Sequence, residues 1–317
     1  MGAVIRGIGI HHPDEILTNA DLEKLVETTD EWITVRTGIR QRRILPKDSP
    51  LKASDFGAAA ARRAMDKARV APEQIDGIIV GAANPDMQFP ATACFVQEKI
   101  GAKNAFAYDV TAACAGFVFG INQAALLIDA GQCENVLVIG AEILSQVVDW
   151  TDRNTCILFG DAAGAVVLSR GPEGRGVLRS KLKSDGGLAD ILYLDNAGPD
   201  GKRAMRMDGK QVFKAAVNVV SEVVKDTLSR AGHSPRDLDL LVMHQANVRI
   251  LSAIAEKLDL PPEKVVVNVD RFGNTSSASI PLALHDSENQ GLLKEGKLVA
   301  LAAVGGGMSW GCNLIRW

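Results

Sequence analysis

Cys114 is the residue of this sequence best placed to act as a nucleophile. It lies in the segment TAACAGF, between a strand predicted over Phe106–Val110 and a helix predicted from Gly116 onward. Aligned N–H groups at the start of a helix favour a thiolate, so we expect a lowered pKa for this thiol. Alanine and glycine neighbours leave room for a substrate beside the sulfur. The segment therefore predicts an activated nucleophile on a sharp turn.

Three further segments place polar or flexible residues where covalent chemistry would need them. His244 follows LLVM (240–243), an apolar segment predicted to be a strand, and is the best acid, base or donor candidate among the five histidines. Asn274, in RFGNTSSAS, has an amide that donates a hydrogen bond without changing charge. Gly305, Gly306 and Gly307 follow a buried strand, where backbone N–H groups can form an oxyanion hole.

The cysteines show no metal-ligand spacing. They stand at positions 94, 114, 133, 156 and 312, with no CxxC pair. An odd count without a framework predicts free thiols, and apart from Cys114 we expect small buried side chains. The sequence predicts no metal site.

A weak internal duplication determines which turns should meet. AAAARRAMDKARV, PEQID and GIIVGAAN are matched in order by VVSEVVKDTLSRAG, PRDLD and LLVMHQAN, and 163 residues separate both Pro72 from Pro235 and Asn84 from Asn247. Each half reads as apolar strands alternating with helices, typical of sheets covered on both faces. We expect an α/β fold of two similar halves, 1–170 and 171–317, in a five-layered α-β-α-β-α body.

The candidate residues fall in corresponding turns of the two halves. FAYDVTAACAGF matches VVVNVDRFGNTSSAS, each read as a strand, a small-residue turn and a helix, which sets Asn274 in the place of Cys114. In open α/β sheets, ligands bind outside the carboxyl ends of the strands. A site between the halves would therefore collect Cys114, His244, Asn274 and the triglycine.

Composition excludes several function classes. The 317 residues are 47% hydrophobic and 23% charged, with a net charge of −3 and a pI near 6.0. This balance gives no general attraction to nucleic acid or to anionic membranes. Residues 1–17 do not read as a secretory signal, and no apolar stretch reaches the ~20 residues of a membrane span. We expect a cytoplasmic protein.

Together these segments resemble the thiolase-like condensing enzymes, and most closely the β-ketoacyl-acyl carrier protein synthase III family. The resemblance rests on TTDEWITVRTGIR (28–40), AACAGF, FGDAAGA (159–165), HQANVRI (244–250), DRFGNTSSASIP (270–281) and GGGMSWG (305–311). Elongating synthases carry Cys, His and His, and degradative thiolases have a second cysteine. The set Cys114, His244 and Asn274 separates this sequence from both.

The resemblance implies a thiolase-like fold and a two-stage reaction without a cofactor. An acyl group moves from acyl-coenzyme A to Cys114, coenzyme A leaves, and malonyl-acyl carrier protein enters. Decarboxylation gives an enolate, whose oxygen would be held by His244 Nε2 and the Asn274 amide. The carbanion attacks the thioester while backbone N–H groups of Cys114 and Gly306 hold the oxyanion. This reaction would initiate type II fatty acid synthesis with ping-pong kinetics.

The resemblance also implies binding residues for coenzyme A. Trp32 would stack on the adenine, Arg153 would supply a second stacking face, and Arg36 would contact a phosphate. Phe213 and Asn247 would line the pantetheine tunnel. An indole and a guanidinium on either side of a base form a sound stacking site.

Partners follow from the same resemblance. Lys214, Arg249 and Lys257 would form a basic patch for the acidic acyl carrier protein. Phe89 would reach across a homodimer to close the acyl pocket of the second subunit, which suggests a short starter.

Some positions depart from the family pattern. Val304 and Met308 bracket the triglycine where aromatic residues are usual, and Ala162 replaces a glycine of FGDGAGA. The stretch 185–207 is short and rich in Gly, Asp and Lys. We expect all of these changes to border the pocket, so the family's substrate preference does not carry over to this sequence, while Cys114, His244 and Asn274 are unaffected.

Two alternatives of different kinds stay open. A synthase III-like acyltransferase of secondary metabolism would use the same three residues on another acceptor. A non-catalytic acyl-coenzyme A or carrier-protein binding subunit usually loses the cysteine, so Cys114, His244 and Asn274 argue against it. A hydrolase would need a water-directing base, and no carboxylate stands beside the motif.

Overall fold

The computed structural model describes residues 2–195 and 204–317. The strands are β1 (Gly2–His11), β2 (Ile16–Thr18), β3 (Gln41–Arg43), β4 (Gly77–Gly81), β5 (Phe106–Val110), β6 (Asn135–Glu142), β7 (Ala162–Gly171), β8 (Gly176–Ser184), β9 (Leu192–Asp195), β10 (Ala204–Met207), β11 (Leu240–Met243), β12 (Leu298–Gly305) and β13 (Ser309–Arg316). The helices are α1 (Asn19–Leu22), α2 (Asp30–Thr37), α3 (Ala53–Ala68), α4 (Thr92–Ile100), α5 (Gly116–Asp129), α6 (Arg153–Cys156), α7 (Gly209–Arg230), α8 (Val248–Lys257), α9 (Val269–Phe272) and α10 (Ser279–Asn289).

Two sheets repeat the same strand order. The first runs β1-β7-β6-β4-β5 and the second runs β8-β13-β12-β11, with a single bridge from β11 to Val265 in the position of β5. The parallel pairing of β4 with β6 recurs as the parallel pairing of β11 with β12. This repeated order confirms that the fold consists of two similar α/β halves.

Buried side chains arrange these elements in five layers. Helices α3 and α4 cover the outer face of the first sheet, and α7 and α8 cover the outer face of the second. The apolar side chains of α5 and α10 fill the space between the sheets. The layer order is therefore α-β-α-β-α, as the alternating strands and helices predicted. Within the described part of the chain, no helix combines the length and apolar character needed to cross a membrane.

Glycines let the central helices approach the strand ends closely. A Cβ atom on Gly81, at the end of β4, would lie 2.7 Å from the backbone of Gly116, the first residue of α5. Such a distance is too short for any side chain, so only glycine permits this packing. The helix that follows Cys114 is thereby held against the sheet.

The pseudo-symmetric counterpart of Cys114 is Ser277. Helices α5 and α10 keep the offset of 163 residues, and the 3₁₀ turns before them, Ala113–Ala115 and Ser276–Ala278, keep it as well. Ala113 and Ser276 share a positive φ, of 44° and 48°. The prediction that Asn274 takes the place of Cys114 is therefore wrong, because the sequence match was set three residues too early.

The strand predicted from VVVNV does not form. Only Val265 bridges to β11, and the chain then enters the short helix α9. The Gln245 side chain forms hydrogen bonds with the backbone of this segment. Its Nε2 donates to Val266 O (3.0 Å), and its Oε1 accepts from Asn268 N (3.0 Å). Val266 N still donates to Leu241 O of β11 (3.1 Å), and a side chain supplies the remaining backbone hydrogen bonds of this segment.

Candidate active site

A cavity of about 1290 Å³ lies between the two halves. It opens at the turns that follow β4, β5, β11 and β12, the edge where open α/β sheets bind ligands. Its lining includes Cys114, His244, Asn274 and Gly306. The structure thus brings together the catalytic candidates from both halves of the sequence.

Cys114 sits in the turn that joins β5 to α5, as predicted. Its side chain is 9% exposed, and a positive φ at Ala113 makes the turn sharp. Burial raises the pKa of the Cys114 thiol to about 12, because desolvation and the nearby Glu142 charge outweigh the Ser276 hydroxyl and the backbone N–H of Cys114 itself. The prediction of a lowered pKa is therefore wrong. A base must remove the proton during attack.

Alkylation of Cys114 should depend on pH over a wide range. Because the thiol has a pKa of about 12, the thiolate fraction keeps growing above neutrality. We expect the rate of alkylation by iodoacetamide to rise continuously from pH 7 to pH 10. Peptide mapping of the modified cysteine would follow this rate, and a plateau between pH 7 and pH 9 would contradict the raised pKa.

His244 directly follows β11, and hydrogen bonds hold both its backbone and its ring. Its backbone N–H donates to Ala302 O (2.8 Å), and its ring Nδ1 lies 2.8 Å from Ser279 Oγ. The side chain is 6% exposed, and burial lowers the pKa of His244 to about 4. The imidazole is therefore neutral at pH 7.

Asn274 presents the nitrogen of its amide to the cavity. Its Oδ1 accepts from Ser276 N (2.9 Å), and its backbone N–H donates to Leu158 O (2.8 Å). Within the described residues, Nδ2 makes no protein hydrogen bond although the side chain is 7% exposed. The orientation of the amide is thus fixed by its oxygen, which leaves an N–H donor for a ligand.

The triglycine packs directly against the nucleophile turn. A Cβ atom on Gly305 would lie 2.7 Å from Cys114 N and 2.9 Å from Ala115 N. Gly306 lines the cavity, and Gly307 has a φ of +74°. Glycine is therefore needed for close approach to Cys114 at one position and for a left-handed backbone at another.

The residues expected to bind coenzyme A lie in two places. The guanidinium carbons of Arg36 and Arg153 lie 4.3 Å and 4.7 Å from the Trp32 ring centroid, so the indole already stacks with cations. Phe213 and Asn247 line the cavity with Arg36. Asn247 Oδ1 caps α8 by accepting from Ile250 N (3.0 Å), which leaves its amide nitrogen free to contact a ligand.

Of the three basic residues expected to form one patch, one lines the cavity and two lie outside it. Arg249 lines the cavity and stacks over Phe213, with 5.6 Å between the guanidinium carbon and the ring centroid. Lys214 and Lys257 are exposed on α7 and α8, outside the lining, and Lys257 Nζ donates to Asn218 (2.6 Å). Arg249 is thus placed to contact a substrate directly.

Phe89 projects from the loop after β4. Its side chain is 80% exposed and does not line the cavity of its own chain, whereas the neighbouring Met87 and Gln88 do. This position is compatible with a role on a second subunit.

Sequence reasoning missed a buried network beneath the site. Ser277 Oγ donates to Glu142 (2.8 Å), whose carboxylate also accepts from Ala83 N (3.0 Å). Ser276 Oγ is buried beside the Cys114 sulfur without a hydrogen bond of normal geometry in the described chain. The run of serines in RFGNTSSAS was the available signal. No group of His, Cys, Asp or Glu among the described residues is arranged to hold a metal ion.

Comparison with known proteins shows which family has this site. Residues 108–186 match the family model described as 3-oxoacyl-[acyl-carrier-protein] synthase III, and residues 228–317 match the model of its C-terminal part. The β-ketoacyl-[acyl-carrier-protein] synthase III of Aquifex aeolicus is 46% identical, with both chains covered over 100% of their length. The chain belongs to the β-ketoacyl-acyl carrier protein synthase III family.

Solved structures of the synthase III family have the same fold. The crystal structure from Aquifex aeolicus VF5 matches with a TM-score of 0.95 over 100% of both chains, at 46% identity. The structure from Pseudomonas aeruginosa PAO1 matches with a TM-score of 0.94, 40% identity and coverage of 100% and 98%. The priming β-ketosynthase of the R1128 polyketide pathway matches at 33% identity with a TM-score of 0.93, over 99% of this chain and 95% of its own.

The positions that depart from the synthase III pattern are not all at the cavity. Val304 lines the cavity. Met308 is buried in the core between the second sheet and helices α7 and α8, and Ala162 packs in a small apolar cluster with Phe272. The prediction that all of them border the pocket is therefore wrong for Met308 and Ala162. Of the stretch 185–207, parts of 189–194 and 205–207 line the cavity, and 196–203 lie outside the described residues.

Proposed function

We propose that this chain condenses an acyl-coenzyme A starter with malonyl-acyl carrier protein through an acyl thioester on Cys114, the first condensation of type II fatty acid synthesis. The observation that carries the proposal is the meeting of Cys114, His244 and Asn274 in one cavity at the junction of the two halves. Relatives 46% identical over the full length are named as synthases of this type.

The first stage loads the nucleophile. The Cys114 sulfur attacks the thioester carbon of acyl-coenzyme A as its proton leaves, because the buried thiol is protonated at neutral pH. Backbone N–H groups of Cys114 and Gly306 hold the oxyanion. Coenzyme A then departs as a thiol, and the acyl group stays on the enzyme.

The second stage makes the carbon–carbon bond. Loss of carbon dioxide from the malonyl group leaves an enolate, whose oxygen accepts from Asn274 Nδ2, the free donor at the site. His244 Nε2 donates to the same oxygen when it carries a proton. The carbanion attacks the acyl thioester and releases the Cys114 sulfur. This stage takes up one proton, which returns the sulfur to a thiol.

Binding of coenzyme A begins at the rim of the cavity. We propose that the adenine stacks at Trp32 with Arg153, that Arg36 binds a phosphate, and that the pantetheine passes Phe213 and Asn247. Arg36 both lies on the indole and lines the cavity, which connects these two regions.

Replacing Trp32 with alanine should weaken use of the starter without slowing the chemistry. Stacking with an aromatic ring or a cation contributes about 1–2 kcal/mol, so we expect roughly tenfold lower kcat/KM for acyl-coenzyme A. The kcat and the KM for malonyl-acyl carrier protein should change less than about twofold. Steady-state kinetics would measure this, with Val35→Ala on the exposed side of α2 as control. An equal loss for both substrates would contradict the assignment.

Partner binding is also part of the proposal. Lys214, Arg249 and Lys257 would attract the acidic carrier protein to the side of the cavity formed by α7 and α8. Within the described chain, β5 pairs only with β4, so its other edge is free to extend the sheet. We propose a homodimer across this edge, with Phe89 closing the neighbouring acyl pocket. We also propose two halves divided at 170/171, no cofactor, and a cytoplasmic location.

One alternative has its own support. The likeness to the priming β-ketosynthase of a polyketide pathway favours, as second candidate, the same chemistry on another acceptor. Neither candidate changes the roles of Cys114, His244 and Asn274.

A product assay separates the candidates. Acetyl-, isobutyryl- or octanoyl-coenzyme A is mixed with malonyl-acyl carrier protein, and coenzyme A release, carbon dioxide and carrier-protein mass are recorded. A β-ketoacyl carrier protein formed together with both releases supports the synthase and identifies its starter. Starter transfer without a malonyl-dependent product would support the second candidate, and no release of coenzyme A would support a binding subunit.

A further inference from the structure

A buried serine contacts the back of the His244 ring. Ser279, the first residue of α10, is 2% exposed, and its Oγ lies 2.8 Å from His244 Nδ1. The same oxygen lies 2.8 Å from Ser276 O and accepts from Gln245 N (3.2 Å). Ser279 is thus surrounded by three polar groups, all of them buried.

The hydrogen atoms in this cluster can be counted. The Ser276 carbonyl only accepts, so the single hydroxyl hydrogen of Ser279 is donated to it. Toward His244, Ser279 then offers a lone pair, and Nδ1 must supply the hydrogen. A neutral imidazole has one N–H, so Nε2 carries a lone pair.

The unprotonated nitrogen, His244 Nε2, is the one available to the cavity. Within the described residues, His244 Nε2 makes no hydrogen bond, and the ring lines the same cavity as Cys114 and Asn274. Nε2 of the neutral ring is therefore an acceptor, where the synthase III resemblance implied a donor.

We propose that Ser279 is a positioning residue, which fixes neutral His244 as the Nδ1–H form so that Nε2 accepts the Cys114 proton during acylation. The inference rests on the proposed function. As the sulfur–carbon bond forms, the S–H proton moves to Nε2. As the carbon–sulfur bond to coenzyme A breaks, that proton moves to the departing sulfur, and His244 is neutral again.

The Nδ1–H form of His244 also explains how a proton is delivered in the second stage. Condensation releases Cys114 as a thiolate, and the overall reaction takes up one proton from solvent. Arriving on Nε2, this proton first makes His244 a donor to the enolate oxygen and then passes to the Cys114 sulfur. Ser279 keeps Nδ1 occupied throughout, so Nε2 is the nitrogen that gains and loses the proton.

Nitrogen NMR on the full-length chain tests the tautomer directly. With ¹⁵N-labelled histidine, the His244 signals are assigned by their absence in His244→Asn. At pH 7 we expect Nδ1 to be protonated and Nε2 to be unprotonated in the wild type. A protonated Nε2 in the neutral ring would overturn the proposal, and this result requires no variant at position 279.

A pair of serine variants tests the consequence for catalysis. Ser279→Ala should populate the Nε2–H form and slow acylation of Cys114 by about tenfold, with unchanged half-saturation by acyl-coenzyme A. Ser287→Ala is the matched control, since Ser287 is buried on the same helix and donates to Ala283 O (2.8 Å) away from the cavity. A folded Ser279→Ala that acylates as fast as Ser287→Ala would overturn the proposal.

Failure of the proposed function would look different. If no acyl-coenzyme A loads the wild type, the synthase assignment fails, while the NMR tautomer of His244 still tests Ser279. In that case an Nδ1–H ring in the wild type would support the positioning role, and an Nε2–H ring would overturn it.

Discussion

Replacing Cys114 with serine should abolish condensation almost completely. We expect formation of β-ketoacyl carrier protein to fall by roughly 10³-fold or more, because the acyl group has no thiol to carry it between the two substrates. The change removes little volume, so the cavity and its lining should persist. Product mass analysis with saturating substrates would measure the loss.

Cys114→Ser should lose condensation but retain decarboxylation. His244 and Asn274 are intact, so slow decarboxylation of malonyl-acyl carrier protein should continue without a condensation product. Cys133→Ser is the control, since Cys133 is buried in the core away from the cavity, and it should retain activity. Substantial condensation by Cys114→Ser would show that another residue carries the acyl group.

Replacing Asn274 with aspartate should block the second stage. The new side chain can still accept from Ser276 N, but a carboxylate oxygen takes the place of the Nδ2 donor. Losing a donor to a developing oxyanion costs about 10²–10³-fold, and the added negative charge opposes the enolate. We expect decarboxylation and condensation to fall by at least this factor.

The diagnostic feature of Asn274→Asp is its selectivity. Loading of Cys114 from acyl-coenzyme A should slow by less than about tenfold, since the amide acts on the malonyl substrate. Single-turnover loading and carbon dioxide release would be compared with those of Asn104→Asp, an exposed asparagine outside the cavity. Equal losses in both stages would mean that Asn274 holds the site together instead of stabilising the enolate.

Local sequence features predicted the elements beside the site well. The strand Phe106–Val110, the helix from Gly116 and the strand Leu240–Met243 have the predicted bounds next to Cys114 and His244. Each is an apolar stretch that ends in small or polar residues, so hydrophobic pattern and turn chemistry agree. The duplication then predicted correctly that these strand ends meet.

Properties that depend on distant contacts were not predictable in this way. The helix start at Cys114 suggested a lowered thiol pKa, but burial within the folded cavity reverses the direction. The VVVNV segment looks like a strand, and only the folded position of Gln245 shows what replaces its neighbour. Ser279 reads as an ordinary serine at a helix start until its contact with His244 is seen.

Intact-protein mass spectrometry tests the central claim most directly. Wild-type enzyme is mixed with acetyl-, branched and medium-chain acyl-coenzyme A, and malonyl-acyl carrier protein is then added, with Cys114→Ser in parallel. We predict a mass gain equal to one acyl group on the wild type alone, lost when malonyl-acyl carrier protein arrives. No adduct with any of these thioesters, or an equal adduct on Cys114→Ser, would contradict a thioester-carrying synthase.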